Sequence, residues 1–215
     1  MFITFEGIEG MGKTTQLKWM AKQFTDNQIP VFLTREPGGT PMGEEIRDIL
    51  LAHRNEQVAP LTELLLMFAA RAQHVETVIK PALKEERYVL CDRFVDATYA
   101  YQGGGRGVSF DLIEKVEQLV LGDFRPNYTL LFDAPVEVGQ KRVRDRGNTK
   151  DRFEKEKIDF FERIRKVYLA RAKADPNRFI VVDASLSVEA VGAVLLEITK
   201  KLIVQYKNSL QLEKQ

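Results

Sequence analysis

Five short apolar runs punctuate the chain, at residues 2–5 (FITF), 31–34 (VFLT), 88–91 (YVLC), 128–132 (YTLLF) and 179–182 (FIVV). Each is rich in β-branched or aromatic residues and none alternates cleanly with polar ones, the pattern of strands covered on both faces of a parallel sheet. Between them, apolar residues recur at helical spacing over 13–26, 43–53, 61–85, 110–121, 136–146, 154–173 and 187–206. In the stretch SFDLIEKVEQLVLG, Ser109 is a candidate N-cap and Gly122 a candidate C-terminal stop. Strand and helix alternate, which predicts right-handed βαβ crossovers and an α/β layered fold. There is no internal repeat, low-complexity tract or linker, so one domain over 1–215 is expected, with a frayed tail over about 207–215.

In such a sheet ligands bind beyond the carboxyl ends of the strands. The five runs end there at Glu6-Gly7, Arg35-Glu36-Pro37-Gly38-Gly39, Asp92-Arg93, Asp133 and Asp183, a rim of polar and turn-forming groups on one edge.

The segment GIEGMGKT, residues 7–14, fits G-x-x-x-x-G-K-[ST] between a predicted strand and a predicted helix, the context this phosphate-binding motif requires. Its members Gly7, Ile8, Glu9, Gly10, Met11, Gly12, Lys13 and Thr14, with Thr15 following, form a candidate ATP site. Gly7, Gly10 and Gly12 let backbone N–H groups converge on phosphate, and the helix N-terminus adds positive potential. Lys13 is placed to reach the β- and γ-phosphates, and Thr14 to ligate Mg²⁺. Asp92, at the end of the third strand, reads either as a second Mg²⁺ group or as a helix N-cap. Arg93 beside it reads either as a phosphate clamp or as half of a surface ion pair. The loop also holds a carboxylate, Glu9, where polyphosphate should bind.

Composition narrows the class. With 32 basic and 31 acidic residues, no overall field favours nucleic acid or an anionic membrane. One cysteine, Cys91, precludes an intrachain disulfide and fits a reducing, cytoplasmic setting. The opening MFITFEG does not read as a signal peptide, and no uncharged stretch approaches the roughly 20 apolar residues of a membrane span. His53 and His74 lack metal-binding companions and read as surface or packing residues. The N-K-x-D string by which a GTPase reads guanine does not occur.

Residues 140–157, QKRVRDRGNTKDRFEKEK, carry four arginines and four lysines, with Arg142 and Arg146 at i, i+4. They read either as a solvated helix end or as a lid, over about 140–155, that brings a cation to a migrating phosphoryl group. The helix around LLLMF is apolar on nearly every face, so it is either central in one subunit or packed on a partner.

The set FEGIEGMGKTTQ, TREPGGTP, LLMFAARAQHV, CDRFVDATYAYQGGGRG and RDRG…DRFE closely resembles bacterial thymidylate kinase, in the family's order and over essentially the whole chain. The resemblance implies the nucleoside-monophosphate-kinase fold, a five-stranded parallel sheet wrapped by helices. It also implies Mg²⁺-dependent transfer of the ATP γ-phosphoryl group to dTMP, on the way to dTTP, and a homodimer packed through helices. In similar enzymes the acid at the Glu9 position points to the acceptor and binds its sugar 3′-hydroxyl. By the same carry-over Arg93, with Arg35 near it, serves the acceptor phosphate. Phe68 stacks on thymine, although the residues alone favour a core aromatic there, and Arg71 hydrogen-bonds a base carbonyl. Thr98, Tyr101 and Gln102 complete the pocket, and Pro37 is a candidate cis peptide. With Gly10 and Met11 after the acid, the chain matches the variant that supplies its catalytic arginine from the lid. Arg146 and Arg152 are the candidates, with Arg142 stacking on adenine. The rivals are a deoxynucleoside kinase, with Glu36 as general base, and a P-loop switch without acceptor-dependent turnover.

Overall fold

The computed structural model describes residues 1–145, 152–154 and 156–212. Five strands, β1 (Phe2–Glu6), β2 (Val31–Arg35), β3 (Tyr88–Asp92), β4 (Tyr128–Asp133) and β5 (Phe179–Asp183), form one sheet in the order β2-β3-β1-β4-β5. All four pairings are parallel. Each strand contains one of the expected runs plus the polar residue that follows it.

The central strands explain the unbroken apolar runs. Every residue of β1 is buried, and successive residues of β3 enter two different cores: Tyr88 and Leu90 join Phe5, Met20, Phe24 and Phe161, while Val89 and Cys91 join Phe2, Leu64, Phe68 and Ile113. The edge strands are less covered, with Leu33 42% and Val181 52% exposed. Parallel register aligns the carboxyl ends, pairing Phe5 with Asp92, Arg35 with Asp92, and Asp133 with Asp183. The polar rim is therefore one continuous edge.

Helices α1 (Lys13–Asp26), α2 (Pro41–Leu51), α3 (Pro60–His74), α4 (Lys80–Lys84), α5 (Val95–Thr98), α6 (Phe110–Leu121), α7 (Val136–Asp145), α8 (Ile158–Ala174) and α9 (Val188–Leu212) surround the sheet. A π-helical turn, Val75–Ile79, joins α3 to α4 in one continuous rod. Helix α2 begins two residues before the expected 43, because Thr40 caps it by accepting from Gly43 N at 2.9 Å and Pro41 suits its first turn. Helix α8 begins at Ile158 rather than 154, and α9 continues to Leu212, past the fraying expected from 207.

The sequence pattern missed α5 and the π-helical Tyr99–Gly105 that follows it. Three glycines there give no helical signal, yet they serve close packing. A Cβ at Gly104 would lie 2.7 Å from Val167 and one at Gly105 2.5 Å from Phe160, both on α8. The resulting contact between this segment and α8 fixes the wall that carries Tyr101 and Gln102.

Candidate active site

A cavity of about 460 Å³ opens at the carboxyl edge of β1 and β3, within the size range of small-molecule sites. Its walls come from the phosphate loop, the Glu36-Pro37 turn, α3, the Asp92–Phe94 turn, the α5 segment, Arg142 and Phe153.

The phosphate loop folds tightly over α7. Gly10 adopts φ 78°, and a Cβ on it would sit 2.2 Å from the carbonyl oxygen of Gly139. Lys13 is buried, and its Nζ donates to Ile8 O at 2.8 Å. Burial, then the nearby Arg93 charge, pulls its pKa down to about 8 against the opposing pull of Asp92, Glu9 and Glu6. Thr14 Oγ1 donates to Asp92 Oδ2 at 2.7 Å. Mg²⁺ binds through few protein oxygens and completes its shell with phosphate and water, so this hydroxyl–carboxylate pair fits it. Among the described residues no cluster of three or more His, Cys, Asp or Glu offers a separate metal cage.

Arg93 links the loop to the cavity wall that carries Tyr101. It has φ 70°, unusual for a non-glycine residue, held by its N–H to Phe5 O at 3.0 Å. Its Nη1 donates to Gly7 O at 2.8 Å and its Nη2 to Glu9 Oε1 at 2.9 Å. Tyr101 donates to both oxygens of Glu9, at 2.7 and 2.8 Å, and its ring lies 4.9 Å from the Arg93 guanidinium carbon. Burial opposes the Arg93 charge, yet Tyr101, Glu9, Tyr168 and Asp92 together hold its pKa well above the ordinary value. Beneath the loop Glu6 accepts from Phe94 N and Tyr168 OH, each at 2.7 Å. Burial, with Asp96 adding to it, lifts its pKa to about 8.

Arg71 is 2% exposed. Nε donates to Glu36 at 2.7 Å, Nη1 to Thr98 at 3.0 Å and Nη2 to Phe94 O at 3.1 Å. The other Glu36 oxygen contacts His74 Nδ1 at 3.0 Å, and His74 Nε2 meets Thr34 Oγ1 at 2.6 Å. His74 is thus a buried, hydrogen-bonded link and not a surface residue, whereas His53 is exposed. With both oxygens engaged, Glu36 is poorly suited to the general-base role of the nucleoside-kinase reading.

The cavity gathers Glu9, Gly10, Met11, Gly12, Lys13, Thr14, Thr15, Pro37, Arg71, Asp92, Arg93, Thr98, Tyr101, Gln102 and Arg142 from the expected set. The Glu36-Pro37 peptide is cis. Several expected residues lie elsewhere. Arg35 turns to Glu44 at 2.7 Å, away from the cavity wall. Phe68 is 2% exposed, beneath the Arg71 guanidinium at 4.8 Å, and its neighbour Met67 lines the wall instead. Arg152 binds Leu50 O at 3.0 Å and Glu63 at 2.6 Å. Arg142 does line the cavity, but its guanidinium reaches Ala184 O at 2.7 Å and Leu186 O at 3.3 Å, fastening α7 to the turn after β5. Helix α7 accounts for 136–145, so the amino-terminal part of the expected lid is packed helix, with Gln140 and Val143 buried. Arg146 lies outside the described residues. On the rim, Asp133 makes a two-point pair with Arg165 at 2.7 and 2.9 Å.

The sequence reading missed Arg47, Met67 and Phe153 on the wall, and Glu63 behind it. Arg47 donates to Pro37 O at 2.9 Å, and its position in α2, after the PGG turn, was the available signal. Glu63 had none, because an acid in a helix's first turn usually serves the dipole.

The thymidylate kinase family model matches residues 5–194. A thymidylate kinase of Pseudomonas syringae pv. tomato is 53% identical over 203 residues, 94% of this chain and 96% of its own. One from Pseudomonas fluorescens is 50% identical over 214 residues, 100% of this chain and 98% of its own. The crystal structure of the Ehrlichia chaffeensis thymidylate kinase superposes with a TM-score of 0.74 at 34% identity, covering 93% of this chain and 98% of that one. Its five-stranded parallel sheet, the helices around it and these relatives agree, and the chain belongs to the thymidylate kinase family.

Proposed function

We propose that the cavity bounded by Lys13, Arg93 and Arg71 is where this enzyme works as the kinase of its family, transferring the γ-phosphoryl group of ATP to dTMP to give ADP and dTDP. The observation that supports this reading is the Glu9–Arg93–Tyr101 cluster, which joins the loop of residues 7–14 to the wall where the acceptor would lie. A donor polyphosphate on the loop amides would meet Lys13. The acceptor phosphate would take one face of Arg93, and the sugar 3′-hydroxyl would donate to Glu9. Arg71 and Gln102 would read the base.

Thr14 and Asp92 would hold Mg²⁺, which when bound neutralises charge on the donor's β- and γ-phosphates. The acceptor phosphate is already ionised, so no strong general base is required. The chain's task is to hold two anions in line and screen them, with Lys13 and Arg93 fixed and a lid arginine, Arg146 or Arg152, completing the set.

The homodimer expected of the family finds support in the apolar residues that α3 and α6 expose, Leu61, Leu65, Phe110, Leu112 and Leu119, the last 84% exposed. A cytoplasmic setting rests on the single buried Cys91 and a reducing compartment; among the described residues no helix is long and apolar enough to cross a membrane. The deciding assay is ADP release with Mg·ATP and dTMP, dUMP, thymidine or no acceptor. Fast turnover with dTMP, slower with dUMP and none with thymidine is expected. Turnover with thymidine but not dTMP would overturn the role given to Arg93.

A further inference from the structure

Glu63 is fully buried, at 0% exposure, one step behind the cavity wall, which it does not itself line. Its Oε1 accepts from Gln102 Nε2 at 2.8 Å. Its Oε2 accepts from Arg152 Nη2 at 2.6 Å and lies 3.4 Å from Arg106 Nε. Two guanidinium groups compensate the buried charge, so the carboxylate acts only as an acceptor.

A glutamine amide has a donor end and an acceptor end of nearly the same shape, and a free one can offer either to a ligand. Gln102 is not free. Turning its oxygen toward Glu63 would set two acceptors against each other in a buried place and lose a charge-assisted bond. The amide is therefore held with nitrogen inward, and its carbonyl oxygen is the acceptor it can offer a ligand in the cavity that Gln102 lines. Arg71 is held by the same device. Glu36, Thr98 and Phe94 O each take one of its five N–H groups, leaving donors only. Through its bond to Thr98, one helical turn before Gln102 in the chain, Arg71 is brought toward the Gln102 segment.

We propose that Glu63 is a positioning residue that sets the hydrogen-bond polarity of base reading, by fixing Gln102 as an acceptor beside the Arg71 donor. An imide edge, C4=O next to N3–H, matches that pair. The amidine edge of a cytosine, an amino donor next to a bare nitrogen, opposes it at both positions. Glu63 thus selects between pyrimidine classes without touching the ligand. The proposal rests on the reading that Arg71 and Gln102 face the acceptor base.

The test compares kcat/KM for dTMP and 5-methyl-dCMP, which differ only along that edge. Any effect of Glu63 on Arg152 or on phosphoryl transfer is common to both acceptors and cancels in the ratio. Glu63→Gln removes the demand for nitrogen inward and is expected to lower the ratio on the order of tenfold or more, the factor that one charge-assisted hydrogen bond supplies. Glu63→Asp keeps the charge for Arg152 but withdraws the carboxylate from Gln102, so it should move the ratio in the same direction and covers the case in which Glu63→Gln does not fold. A folded variant with the parent's ratio overturns the role of Glu63 alone. A parent enzyme that does not prefer dTMP overturns the base-reading assignment itself.

Discussion

Lys13 gives the sharpest quantitative test of the phosphate loop. In the structure its ammonium has one short hydrogen bond, to a neutral carbonyl, and burial draws its pKa from 10.5 to about 8. Polyphosphate on the loop would supply the missing countercharge and push that pKa back up. Binding of ATP should then be linked to proton uptake by Lys13. The sign follows from which form binds. The charged lysine favours the anion, so affinity is full below about pH 8 and falls as pH rises through it, toward a limit of tenfold per unit. If ATP restores the ordinary value of 10.5, the linked free energy is about 3 kcal/mol.

Calorimetric titration of Mg·ATP at pH 8, in two buffers of different ionisation heat, measures the uptake without requiring turnover. About half the lysines are neutral at that pH, so about half a proton per ATP is expected. Lys13→Ala should bind ATP more weakly and show none of this uptake. Zero uptake in the parent, or undiminished uptake in the alanine variant, refutes the assignment of the loop charge to Lys13.

Two further outcomes follow from the same geometry. Thr14→Ala removes the hydroxyl bonded to Asp92, so the Mg²⁺ concentration for half-maximal activity should rise on the order of tenfold with little change in melting temperature, and an unshifted Mg²⁺ titration contradicts the site. Asp96→Asn leaves Arg171 and Arg178 without the buried carboxylate they grip at 2.6 Å, and should cost about 3–5 kcal/mol in urea unfolding at neutral pH. Burial raises the Asp96 pKa, but the two arginines outweigh it and hold it below the ordinary aspartate value; its stabilisation is therefore present above that ordinary value and lost as pH falls through the folded pKa, where the variant and parent should converge.

The sheet was legible because each strand carries its signal within five or six residues. What the runs could not show is which strands lie at the edges. VFLT and FIVV look as buried as FITF, yet β2 and β5 flank the sheet and expose Leu33 and Val181. Strand order depends on helices packing from both sides, and that information is spread over the whole chain. The Tyr99–Gly105 turn failed for a related reason: its glycines lack helical propensity, and packing against α8 overrides that deficit. In the site, the loop of residues 7–14 was legible because its motif is local in sequence. Residues whose side chains are oriented by three-dimensional packing were not. Arg35 has the composition of a phosphate ligand but a nearer acid in Glu44, and Phe68 has the composition of a stacking ring but lies under Arg71.

Glu9 shows how one residue can answer both the local and the distant demand. A carboxylate in a phosphate loop should repel the donor, and in isolation it would. Here its charge is matched by Arg93 at 2.9 Å and held by Tyr101 through both oxygens, so in the proposed function the loop's Lys13 and backbone amides would be left to the donor while the acid would meet the acceptor. The pair also resolves the cost of keeping Arg93 charged and largely buried. Tyr101, Glu9, Tyr168 and Asp92 together offset the desolvation, so the guanidinium is charged and in place before the acceptor phosphate that it is proposed to bind. Gly7 O holds Nη1 and Glu9 holds Nη2, so binding an acceptor requires only local rearrangement of a group already in place. In the proposed function, that preorganisation is what in-line transfer between two anions demands of a protein, and the acid in the loop would help to provide it.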